Sequence, residues 1–184
     1  MSFPVVLVVI GVVLLLWFIL TFNGFIRLKN SAAEAWSGID VQLKRRHDLI
    51  PNLVEIVKGY VKHERETLEK VVAARTASIN AKDLRAQADA EKQVAGALTS
   101  IFALAESYPN LKANEQFLSL QKELIEIEDQ LQLARRYYNG TVREFNVKSE
   151  SFPSLLIARL CNFKSKEYFG IDSPERENVK VSMQ

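Results

Sequence analysis

The sequence predicts an all-α protein: an N-terminal transmembrane helix followed by a long antiparallel helical bundle, with three long helices and a short C-terminal one. Three observations predict it. Phe3 to Phe22 is an unbroken uncharged run, and glycine and proline are scarce between Arg27 and Glu150. Beyond the run, apolar residues recur at three- and four-residue spacing, which is the period of a helix and not the alternation of a strand.

At about 1.5 Å per residue, a helix of some twenty residues crosses the roughly 30 Å hydrocarbon core of a bilayer. A cleaved secretory signal needs a basic start and a small-x-small cleavage site, whereas Met1-Ser2 has no basic side chain and the run ends in Leu20-Thr21-Phe22-Asn23. The segment therefore reads as a retained anchor. Residues 1–24 form that anchor, 25–172 the bundle and 173–184 a loose polar tail. Arg27 and Lys29, then Lys44, Arg45 and Arg46, follow the span, and no basic side chain precedes it. The positive-inside rule then puts the bundle of this single-pass protein in the cytoplasm.

The first bundle stripe is Trp36, Ile39, Leu43, Ile50, Leu53, Val57, Tyr60, Leu68 and Val71. It predicts one helix from about Ser31 to Ile79, with continuity into the span left open. A second stripe, Leu84, Ala88, Glu91, Val94, Leu98, Ile101 and Ala105, predicts a helix ending near Ser107, before Tyr108-Pro109, with Asp83 or Asn80 as its cap. The third, Phe117, Leu120, Leu124, Ile127, Leu131, Ala134, Tyr138, Thr141 and Phe145, keeps heptad spacing, and Asn114 suits its N-cap. Phe152-Pro153 ends it, and Ser154 to Asn162 reads as the short fourth helix. Three amphipathic helices joined by short breaks bury their stripes against one another, which is the bundle.

A net charge of +2 from 24 basic and 22 acidic residues gives no nucleic-acid footprint. Cys161 is the single cysteine, so no intrachain disulfide can form, and an inert buried thiol is expected.

The densest polar cluster inside an apolar stripe runs from Arg45 to Asn52. Pro51 removes one helix hydrogen bond and frees the carbonyl of His47, so a kink or bulge is expected there. Arg46 falls on the stripe itself, and a buried charge persists only when paired. Its expected partner is Glu128 or Asp129 on the third helix. In the preferred reading, Arg46, His47, Asp48, Asn52, Glu128 and Asp129 form a polar layer that fixes helix register. In the alternative, His47, Asp48 and Glu55, with His63-Glu64, serve an enzyme or small-ligand sensor built on the segment Arg45 to Glu55. His63-Glu64-Arg65-Glu66-Thr67 lacks the second histidine of a zinc-protease helix. No catalytic, metal or cofactor set is expected.

Two surfaces are expected to meet partners. Ala32, Trp36 and Gly38, in a small-residue segment just past the span, suit close self-association of helices, with Val41, Val54 and Val61 adding apolar surface off the main stripe. Phe163, Lys164, Lys166, Tyr168 and Phe169 alternate rings with lysines, a pattern that suits a membrane surface. Arg135-Arg136-Tyr137-Tyr138 joins cations to rings but lies within the heptad stripe, so packing is the preferred reading there.

Three stretches carry a resemblance: QLKRRHDLIPNLVEIVKGYVKHE (Gln42 to Glu64), YPNLKANEQFLSLQKELIEIEDQLQLARRYYNGTVREFN (Tyr108 to Asn146), and FPSLLIARLCNF followed by YFG (Phe152 to Gly170). They closely resemble the LemA family of bacterial membrane proteins, along nearly the whole chain. The resemblance implies an N-terminal transmembrane helix with a long helical bundle, and no enzymatic activity. A magnetosome-associated branch of the family implies membrane organisation as a theme. The expected function is that of a membrane-anchored scaffold or interaction module, whose partners are the lipid bilayer, further copies of the chain or other membrane proteins.

Overall fold

The uncharged run and the first bundle helix are one element. In the computed structural model, which describes residues 3–61 and 64–170, α1 spans Phe3–Lys58 without interruption. It is followed by α2 (Arg65–Ile79), α3 (Leu84–Ala105), α4 (Pro109–Lys112), α5 (Glu115–Glu150) and α6 (Ser154–Leu160). No strand occurs among the described residues. His63 and the tail expected at 173–184 lie outside them.

The single helix expected from Ser31 to Ile79 is two. Gly59 is a weak helix former, and the chain tightens there through bonds from Gly59 N to the Ile56 carbonyl (3.1 Å) and from Tyr60 N to the Val57 carbonyl (2.9 Å). Tyr60 kept the periodicity and so concealed the break. It is exposed, and its hydroxyl accepts from Asn114 Nδ2 at 3.0 Å.

Caps set the next starts. Asp83 Oδ1 accepts from Ala86 N at 2.7 Å at the head of α3, and Asn114 Oδ1 accepts from Phe117 N at 2.8 Å at the head of α5. Each satisfies an amide that the first turn leaves without a helical partner.

Contacts divide the chain into two units, one of residues 3–40 with Leu133–Glu167 and the other of Val41–Gln132 with residues 168–170. In the first, α1 and α5 run antiparallel: Trp36 meets Tyr138 edge-on (5.5 Å between ring centres), and the earlier Phe25 meets the later Phe145 (5.9 Å). Ile157 and Ala158 of α6 close over this Phe pair. Asn162, with φ of 56°, then reverses the chain after α6. Phe163 N bonds the Ala158 carbonyl (2.8 Å) and Asn162 N the Arg159 carbonyl (3.3 Å), the double bond of a Schellman cap. That reversal stacks Phe163 on Phe25 at 4.8 Å. Asn146 holds the following strap by donating to the Lys166 carbonyl (2.9 Å) and accepting from Lys166 N (2.8 Å). The Tyr138 hydroxyl reaches the Glu167 carbonyl at 3.2 Å, and burial, followed by the Glu167 charge, pushes this phenol above its ordinary range.

In the second unit the end of α1, the α2–α3 pair, α4 and the start of α5 enclose one core. Ile50, Leu53, Val57, Val71, Val94, Ile101, Leu111 and Phe117 are its least exposed members. The expected stripes supply most of it, while Val54, Val61, Ala74 and Leu111 join it from off the stripes.

Asn114→Ala should lower the unfolding free energy by about 1 kcal/mol, the usual cost of losing an N-cap. Denaturant titration of the full chain in detergent, followed by circular dichroism, measures it, and Gln116→Ala on the exposed face of the same turn serves as the unchanged reference.

Candidate functional site

A guanidinium on an apolar stripe has to find a carboxylate, and Arg46 finds two. Arg46 and Glu91 are essentially fully buried, and Arg46 Nη2 faces Glu91 Oε2 as an ion pair. Arg46 Nη1 donates to Glu128 Oε2 at 2.5 Å. The second carboxylate oxygen, Glu91 Oε1, accepts from the Ser78 hydroxyl, from Gln87 Nε2 at 3.0 Å, and from His47 Nε2 at 3.1 Å. An ionised carboxylate can only accept, so the proton of the His47 ring belongs on Nε2. Ser78 Oγ also lies 2.9 Å from that nitrogen and accepts from Gln87 Nε2 at 3.1 Å. One layer thus joins α1, α2, α3 and α5 within the second unit.

Pro51 adds a second polar junction. With no amide at 51, the His47 carbonyl has no partner one turn ahead, and Arg75 Nε of α2 donates to it at 2.7 Å. Helix α1 continues through Pro51 to Lys58. The neighbouring helix supplies the missing donor.

Of the residues expected in the layer, Arg46, His47 and Glu128 meet, while Asp48, Asn52 and Asp129 are exposed. The reason is angular. A step of one or two positions turns a side chain by 100° to 200° around the helix, and this step carries Asp48, two beyond Arg46, and Asp129, one beyond Glu128, out to water. The expectation missed Glu91, the central carboxylate, and Ser78. Glu91 carried the signal, because it stands at a core position of its own stripe between Ala88 and Val94. Among the described residues, no group of three His, Cys, Asp or Glu side chains is arranged to hold a metal ion.

The two expected partner surfaces are altered as well. Ala32 is buried within its own unit, and Trp36 is half-buried against Tyr138, so neither projects outward; Gly38 does lie open. Val54 and Val61 are core residues, and Val41 stays exposed. In the strap, Phe163 stacks inward, Phe169 is buried, Tyr168 is half-buried, and the Lys166 ammonium sits 5.5 Å from the centre of the Phe145 ring. Lys164 alone of that set is fully exposed. Ring burial outweighs the lysine alternation because the Schellman turn and Asn146 fix the direction of the strap.

Two outcomes follow. Glu91→Ala strands a buried guanidinium and should cost on the order of 3 kcal/mol, whereas Asp48→Ala should stay within about 0.5 kcal/mol of wild type, both read by chemical denaturation. Arg46→Met with Glu91→Leu should recover most of the loss. Arg75→Ala should cost about 1.5 kcal/mol as a lost charged hydrogen bond, but much less in a Pro51→Ala background, where the amide at 51 can bond the His47 carbonyl. A double-mutant cycle checks that coupling.

A sequence profile of the LemA family matches residues 35–183, the larger part of the chain. Protein LemA of Metamycoplasma hominis is 29% identical over 167 residues, 87% of this chain and 74% of that protein. Magnetosome protein MamQ 2 of Paramagnetospirillum magneticum is 23% identical over 193 residues, covering 89% and 71%. Magnetosome protein MamQ of Magnetospirillum gryphiswaldense is also 23% identical, over 82% of this chain and 65% of its own. With an apolar N-terminal helix, an all-helical fold and a profile match over most of its length, the chain belongs to the LemA family as a membrane-associated helical protein.

Proposed function

We propose that this protein is a single-pass, membrane-anchored scaffold or interaction module at the bacterial inner membrane, with its helical bundle on the cytoplasmic side. One observation carries the reading. From Phe3 to Leu16 every side chain of α1 is exposed, and the large apolar ones point outward on all sides of the helix. A helix apolar all round needs an apolar surrounding, and a bilayer supplies it. Helix α1 is continuous to Lys58, so the anchor leads into the bundle with no linker between them.

The polar layer supports a structural role over catalysis. Glu91 spends both carboxylate oxygens on Arg46, His47, Ser78 and Gln87, and His47 is buried beside it. A general base must reach substrate, and these groups reach one another. MamQ relatives are magnetosome proteins by name, which favours membrane organisation as the setting of the scaffold. Self-association is part of the proposal, since anchoring confines copies to two dimensions and lets modest contacts suffice.

The topology is tested with Ser107→Cys, at an exposed bundle position, in a Cys161→Ser background. An impermeant maleimide should leave it unlabelled in intact cells and label it after permeabilisation. Labelling of intact cells would overturn the cytoplasmic assignment. In light scattering, the detergent-solubilised full chain should run well above its monomer mass of 20.9 kDa. A monodisperse monomer in every detergent tested would remove self-association from the reading.

A further inference from the structure

Helix α6 is apolar on both faces, and its own unit covers only one. Ile157 and Ala158 are buried with Phe25 and Phe145. On the other side Leu156 and Leu160 are 55% and 76% exposed, and Phe152, four residues before Leu156, is 80% exposed. A four-residue spacing places Leu156 and Leu160 side by side one turn apart, and the exposed Phe152 stands just before the helix begins.

The buried face of α6, opposite the ridge, has a definite neighbour within its unit. Trp17 and Phe18, in the last turns of the uncharged run, pack against the α6 cluster, and Phe163 meets Phe22 at 5.8 Å. Whatever packs on those residues sits where the hydrocarbon gives way to headgroups, the depth at which aromatic rings concentrate. The charges agree. From Ser151 to Ser165 the charged residues are Arg159 and Lys164, with no acid among them, and both are exposed.

We propose that Phe152, Leu156 and Leu160 form a second membrane contact, lying in the interface of the bilayer that α1 enters, with Arg159 and Lys164 on the phosphates of anionic phospholipids. The proposal rests on reading Phe3 to Phe22 as a span. It gives the protein two points of contact with one membrane, which fixes the angle of its first unit to the surface where a lone span would leave that angle free. The ridge replaces the strap of aromatic residues as the membrane-facing element.

The test uses the full chain with Cys161→Ser and single cysteines at Leu14→Cys, Ser107→Cys, Leu156→Cys or Leu160→Cys. Each carries a bimane fluorophore in vesicles of phosphatidylcholine and phosphatidylglycerol. Lipids bearing a nitroxide shallow or deep in the acyl chain report depth, and aqueous iodide reports water. Probes at 156 and 160 should be quenched by the shallow nitroxide and lose most of the iodide quenching seen at 107, while the probe at 14 responds to the deep nitroxide. If 14 is deep but 156 and 160 respond to iodide as 107 does, the ridge proposal is overturned and the span stands. Iodide quenching at 14 would overturn the span reading itself. Shielding at 156 and 160 without any nitroxide response would mean that a second copy covers the ridge, and would also overturn the lipid assignment. Arg159→Glu with Lys164→Glu should weaken the shallow quenching at 160, less so in vesicles of phosphatidylcholine alone. Unchanged quenching would overturn the anionic-lipid assignment of the two cations.

Discussion

The second unit depends on the burial of one guanidinium. Taking Arg46 out of water is costly, and its attraction to Glu91 repays that cost only while the other lone pairs and protons of the site also find partners. Ser78, Gln87, His47 and Glu128 complete the requirement from three other helices and from the next position on α1. A set of leucine and isoleucine stripes can slip by a turn and still bury apolar area. Slippage here would leave Arg46 opposite hydrocarbon. We therefore propose that the layer contributes a single register more than net stability, since well-packed apolar replacements of such pairs are often neutral or stabilising.

Pro51 shows the same logic at the backbone. Its missing amide would ordinarily bend the helix, and the unpaired His47 carbonyl would need water. Arg75 supplies a charged donor from α2, so α1 stays helical. A defect in one helix thereby becomes a docking point for another. His47 takes part twice, through its carbonyl toward Arg75 and through its ring toward Glu91.

Much of this was legible in the sequence because burial in a helical bundle follows period. The stripes on α3 and α5 fall mostly on buried positions, though they omit Ala90, Val142, Asn146 and Ser149, and Asp83 and Asn114 cap where the spacing puts them. The break at Gly59 was not, since Tyr60 sits at a stripe position while in the fold it reaches outward to Asn114. Within the candidate layer, position on the stripe decided the outcome: Arg46 and Glu91 stand on it, and Asp48 and Asn52 do not. Partner identity was harder. Glu128 and Asp129 are adjacent in the chain and differ only in azimuth, which helical spacing alone resolves poorly across an interface. The strap of aromatics misled because alternation of rings and lysines describes a surface segment and a packed one equally well. The left-handed turn at Asn162, which settles the matter, is a feature that glycine more often announces.

Location of apolar surplus separates the two units. In the second, charged groups lie inside the core and are paired there, and the exposed large apolar residues, such as Val41, Val72, Ile79, Leu118 and Ile125, are spread over three helices. In the first, apolar groups lie outside: the whole circumference of α1 from Phe3 to Leu16, and the outer ridge of α6. Such surplus in a water-surrounded domain is a liability for aggregation, and it persists where another apolar phase meets it. Both patches occur in the unit that contains the uncharged run, and the helix that carries the second packs through its other face beside the end of that run. A lone span could rotate and tilt within the bilayer. In the proposed arrangement, a span with an apolar ridge and two cations at its edge has one preferred rotation within the bilayer.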